Sequence, residues 1–253
     1  MQKILALTLL FSPLALAQAA IEVSPNAIMR LPAVGTALHV DRLEIADHGT
    51  LLVPAGLTDI QVDQLVLGQQ ARLSFAPGER PLSLQVTTAT LGENALITAR
   101  GAQGNYSKPA TAGRDLNLRF GEINSGALVV DARGGKGAPG YVGLAGADGK
   151  PGGCTWGQAT HGHDGLDGGD GQPGGAGAKV RIEIPQSLAE EQVRVLVEGG
   201  PGGDAGQAGQ AGKGGDSKGC LLYTTAAGAS GKSGQNGRAG EAGAPGSAEI
   251  VKF

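Results

Sequence analysis

Short runs in which apolar and polar residues alternate recur along the first half of the chain. Residues 40–45 (VDRLEI) are followed by 49–53 (GTLLV) and a turn at Pro54-Ala55-Gly56. Residues 62–67 and 71–75 repeat the arrangement before Ala76-Pro77-Gly78. It returns at 86–91 with 95–99, and at 118–123 with 126–130. The starts lie 22, 24 and 32 residues apart. Strict alternation puts Leu43, Ile45, Leu51 and Val53 on one face of a strand pair. One such pair cannot bury that face alone, and stacked copies can. The pattern predicts a β-solenoid-like repeat region over residues 20–133. A β-sandwich built from ordinary hairpins is the alternative.

From Gly134 the period changes from two to three. Glycine recurs at every third position in four tracts, 134–152, 162–177, 200–215 and 228–246. A three-residue period predicts a polyproline-II-like helix whose glycines face close neighbours. Each pair of tracts begins and ends at a strand-like segment: 127–130 and 179–184 for the first, 193–197 and 248–251 for the second. Each pair therefore goes out and returns. A parallel collagen trimer does not accommodate that, whereas an antiparallel bundle within one chain does. The expected fold class is thus all-β with polyglycine II, N-terminal β-solenoid-like repeats preceding an antiparallel bundle of polyglycine-II helices inserted between strands. A single-chain monomer is favoured over a collagen trimer.

The composition resembles that of bacterial collagen-like proteins. The layout of the tracts resembles glycine-rich proteins built as polyglycine-II bundles, among them the snow flea antifreeze protein, the tip adhesin of some T-even-like bacteriophages and the glycine-rich domain of Obg GTPases. The resemblance covers residues 134–246 and implies a fold, not an activity, because those proteins do unrelated things. It implies no GTPase here, since no G-x-x-x-x-G-K-[ST] motif is present.

Composition narrows the function classes. Of 253 residues 46 are glycine and only 3% are aromatic, so any core is aliphatic. A formal net charge of -3 gives no reason to expect nucleic acid as a partner. Residues 1–19 read as a signal peptide: Lys3, an apolar run 4–16, and small-x-small cleavage motifs at 15–17 and 17–19. No other segment is apolar and long enough to span a membrane. An exported protein is expected, periplasmic, cell-surface or extracellular. Cys154 and Cys220 occupy equivalent loops between the tracts of each pair, and in an oxidising compartment that order predicts one disulfide.

No catalytic constellation is recognisable, and neither an enzyme nor a cofactor is expected. His39 reads as a surface strand residue. His161 and His163 beside Asp164 lack the further ligands that a closed metal site needs. Asp164, Asp167 and Asp170 form a column at about 9 Å spacing, too wide to share one ion, and read as a solvated acidic face. The connecting loops hold the remaining candidates. Trp156, Leu221, Leu222 and Tyr223, with His161 and His163, form either a recognition tip or a small cap on the bundle end. The expected function is that of an exported, non-enzymatic binding or adhesion protein whose partner is a surface glycan or protein. A structural envelope or matrix protein is the alternative. Ice binding is disfavoured because the outward columns carry Asp, Gln, Lys and Arg rather than rows of Thr.

Overall fold

The computed structural model describes residues 19–33, 35–155 and 157–253. The proposed signal peptide falls almost wholly outside them, as does Trp156. Strands alternate between two sheets as the chain proceeds. The first sheet is formed by β1 (Ala20–Val23), β3 (Ala37–Ile45), β5 (Asp59–Leu67), β7 (Leu82–Leu91), β9 (Leu116–Ser125), β11 (Lys179–Ile184) and β15 (Ser247–Lys252), neighbouring one another in that order. The second contains β2 (Ile28–Arg30), β4 (Thr50–Val53), β6 (Arg72–Phe75), β8 (Leu96–Thr98), β10 (Leu128–Asp131) and β12 (Val193–Leu196), again in chain order.

Every pairing within these two sheets is parallel. That removes the hairpin sandwich, whose neighbouring strands would be antiparallel. Register aligns like with like. Leu43, Leu65 and Ala89 form one ladder, and Leu51, Leu73 and Ile97 another. These side chains are buried in one continuous core, aliphatic apart from Phe75 and Phe120, as are Ile45 and Val53. Burial of apolar area at about 25 cal/mol per Å² makes this core the main stabilising element.

The expected fold class is corrected by this topology. The molecule is organised by two large parallel sheets of seven and six strands, rather than by repeats followed by a polyglycine-II bundle. Both sheets continue past residue 134, through β11, β12 and β15. Among the described residues the only helical element is a 3-10 turn, Glu190–Gln192. The period of three marks where backbones approach closely, and it sets up no helical element among the assigned structure. The Gly tracts are long connections between strands, without assigned helix or strand.

Those connections are nevertheless held by backbone hydrogen bonds in a regular register. Gly140, Gly143 and Gly146 donate to the carbonyls of Asp204, Gln207 and Gln210, so the first and third tracts run in the same direction. Leu166 and Gly169 donate to Leu144 and Tyr141, so the second runs opposite to the first. The glycines are required by proximity: a Cβ at Gly143 would lie 2.0 Å from the Leu166 carbonyl oxygen. The insert at 101–113 makes a shorter excursion of the same kind. Gly101 and Gly104 donate to Arg133 and Lys136 at 2.9 and 2.8 Å.

Two charged residues are buried near this junction. Arg114 is fully buried, and its guanidinium donates to the carbonyls of Arg80, Leu57 and Ala55, tying successive turns together. Burial, with Arg80 nearby, pulls it below its ordinary pKa. Asp131, at the exit of β10 into the first tract, accepts from Arg133 Nη2 at 2.7 Å and Nε at 2.9 Å. Burial works against its ionisation. The hydrogen bonds from Arg133, together with the charges of Arg133 and Arg100, outweigh burial and hold the carboxyl below its usual value.

Candidate functional site

The first and third tracts end side by side, where Gly152 donates to the carbonyl of Asp216. Beyond them lies a small tip. Two short strands, β13 (Lys218–Gly219) and β14 (Thr224–Thr225), pair antiparallel around a turn of four residues, 220–223. The turn is closed by Cys220 N–H donating to the Tyr223 carbonyl at 2.7 Å. Thr225 is buried beneath Gly152, where a Cβ would meet its hydroxyl, and its Oγ1 accepts from Lys218 N–H. A disulfide joins Cys154 to Cys220. The Tyr223 hydroxyl donates to the Cys154 carbonyl at 2.5 Å.

This framework leaves two aliphatic side chains in water. Leu221 is 99% exposed and Leu222 is 91% exposed. Tyr223 is half exposed, its hydroxyl occupied and part of its ring available. These leucines cap nothing, so a mini-core built on them is not what the fold forms. A disulfide, a tyrosine hydrogen bond and a strand pair tie down a turn whose apolar tips face solvent.

The other expected site residues lie elsewhere. His161 takes part in a backbone-capping row: its Nδ1 accepts the N–H of Ala229 at 2.9 Å. The acidic column continues that row. Asp164, Asp167 and Asp170 accept the N–H groups of Lys232, Gln235 and Arg238 at 2.6, 2.6 and 2.7 Å. The three aspartates are exposed, as a solvated acidic face requires, and each carboxylate in addition satisfies a backbone donor of the fourth tract. His163 is exposed on the side of the second tract, and its N–H donates to Ala147.

Two features escaped the sequence reading. His39, Asp41 and Asp63 bring one ligand atom each within 4.8 Å of one another. The three are exposed or half exposed, and no fourth His, Cys or acidic ligand joins them among the described residues. The parallel register creates this cluster, since Asp41 and Asp63 occupy equivalent positions one unit apart. Beside it, Gln61, Gln85, Thr87 and Arg119 line a shallow cavity of about 240 Å³, closed at one side by Phe253. The Arg119 guanidinium lies 4.5 Å from the centroid of that ring.

No helix among the described residues is long and apolar enough to cross a membrane. The disulfide is consistent with an oxidising compartment. No family model matches the chain, and no curated protein or solved structure matches it.

Proposed function

We propose that this is an exported, non-enzymatic binding or adhesion protein, and that the disulfide-tied turn of residues 220–223 is its contact surface. The observation that carries this reading is the near-complete exposure of Leu221 and Leu222 on a turn fixed by Cys154–Cys220 and by the Tyr223–Cys154 hydrogen bond. Folding leaves large apolar side chains on a rigid projection only at a cost in solubility, and contact with a partner offsets that cost. The partner class is a surface glycan or protein. Tyr223 supplies an aromatic face for either one, and the leucines supply apolar contact.

Export rests on the signal-peptide pattern of residues 1–19 together with the disulfide. The test is adhesion of the purified chain to cell surfaces and to a glycan array. Leu221→Ser combined with Leu222→Ser should reduce retention at least about tenfold, which corresponds to about 1.4 kcal/mol. Equal retention by the variant, with the disulfide intact, overturns the reading.

A further inference from the structure

The two sides of the Gly-tract stack are finished differently. On the fourth-tract side, Lys232, Gln235, Arg238 and Glu241 are exposed. The N–H groups of Lys232, Gln235 and Arg238 are already consumed by Asp164, Asp167 and Asp170. Charge and capping together are the devices that keep an edge from pairing with another chain.

The opposite side carries these devices only at its ends, where Lys136 pairs with Asp204 at 2.9 Å and the Asp148 carboxylate accepts the Lys213 N–H at 2.7 Å. The insert covers it only near the sheets, where Gly104 approaches Ala138, a fully buried residue. The carbonyl row used by the insert, Arg133 and Lys136, continues at Pro139, Val142, Ala145 and Asp148. No donor reaches those four among the described residues. From Pro139 to Ala147 the first tract contains no charged residue. Tyr141, Val142 and Leu144 are each about two-thirds exposed, and so, slightly less, is Leu166 of the second tract. The backbones carrying them are adjacent: Leu166 N–H donates to Leu144 and Gly169 N–H to Tyr141, both at 2.8 Å. The Tyr141 ring lies against Gly169, where a Cβ would come within 2.4 Å of it. Tyr106, at the turn of the insert, is 73% exposed.

We infer that this apolar strip, bounded by the Lys136–Asp204 pair and Asp148, is the interface of a two-fold dimer with a second copy of the chain. Three observations select that occupant. The face continues the surface on which the insert is already seated, so the tracts can accept a neighbour there. The two-fold arrangement sets apolar strip against apolar strip, with the first tracts antiparallel, the direction in which the first and second tracts already pair. Head-to-tail growth is blocked, because the other side of the stack is charged and capped, so association closes at two. Covering Tyr106, Tyr141, Val142, Leu144 and Leu166 on both copies removes on the order of 1,000 Å², the lower limit for a specific interface. The dimer is therefore weak and concentration-dependent. This surface is separate from the tip, and the dimer presents two tips.

Sedimentation velocity of the purified, disulfide-intact chain tests the inference. The wild type is expected to pass from monomer to dimer across the micromolar to submillimolar range and to go no further. Leu144→Glu with Leu166→Glu should raise the dissociation constant at least about tenfold. Both side chains are already exposed, so far-UV circular dichroism should not change. Leu221→Ser with Leu222→Ser should leave dimerisation intact, which separates this test from that of the tip. A wild type that stays monomeric throughout overturns the inference, as does a trimer or a dimer indifferent to Leu144→Glu and Leu166→Glu.

Discussion

The carboxylate of Asp167 accepts the backbone N–H of Gln235 at 2.6 Å, across 68 residues of chain. Asp164 and Asp170 repeat the contact one triplet to either side, with Lys232 and Arg238. Each carboxylate satisfies a donor that an outermost tract would otherwise leave to water. Asp167→Ala should lower stability by about 0.5–1.5 kcal/mol. The Gln235 amide should exchange faster with solvent deuterium than in the wild type. Asp167→Asn, which keeps a carbonyl oxygen, should restore most of the protection. Unchanged exchange at Gln235 in Asp167→Ala would remove the capping role.

Close approach of backbones makes the tract glycines unequal to those of the tip. Gly143→Ala would drive a methyl group into the Leu166 carbonyl oxygen. It should cost about 1–3 kcal/mol in thermal or denaturant unfolding. Gly219→Ala should be nearly neutral, since nothing lies within 4 Å of a Cβ there. Equal effects at the two sites would contradict the observed register.

Asp131 couples stability to pH. Its carboxyl is held below the ordinary carboxylate pKa of about 3.9 in the folded chain. A depressed folded pKa contributes stability that is present above the unfolded value and is lost as pH falls through the folded one. Wild type and Asp131→Asn should therefore differ at pH 7 and converge as pH drops below about 4. Chemical unfolding at several pH values checks this, and a gap that persisted at low pH would assign Asp131 a different role.

Arg114 is stabilised by carbonyls rather than by a carboxylate. Arg114→Met fills much of the space but strands the oxygens of Arg80, Leu57 and Ala55. A loss of about 2–4 kcal/mol is expected in denaturant unfolding. A neutral substitution would show that water replaces the guanidinium there.

Alternation made part of this structure readable in advance. Leu43, Ile45, Leu51 and Val53 were assignable to one interior face because burial of a strand leaves a period of two. Cys154 and Cys220 could be paired from their equivalent places between tracts. The parallel sheets were not readable, because alternation within a strand says nothing about which strand lies beside it or in which direction. The glycine period does not specify a helical bundle, since a Cβ-free position reports proximity without naming the element that organises it. Asp164, Asp167 and Asp170 are exposed, and their capping role was not readable because their partners lie 68 residues away. Tyr141 and Leu144 stand one triplet apart in a single tract, and register alone brings Leu166 beside them. Within the candidate site, Leu221, Leu222 and Tyr223 were legible as apolar residues beside a cysteine. His161 was not, because its backbone partner Ala229 is fixed only by the pairing of the second and fourth tracts.

Hydrogen–deuterium exchange of the chain with and without an adherent surface ligand tests the functional account most directly. The account predicts protection confined to residues 219–224 and the segment around Cys154, with the sheet strands and the His39–Asp41–Asp63 cluster unchanged. Protection centred on the sheet face lined by Gln61, Gln85 and Arg119, with the tip unaffected, would contradict it.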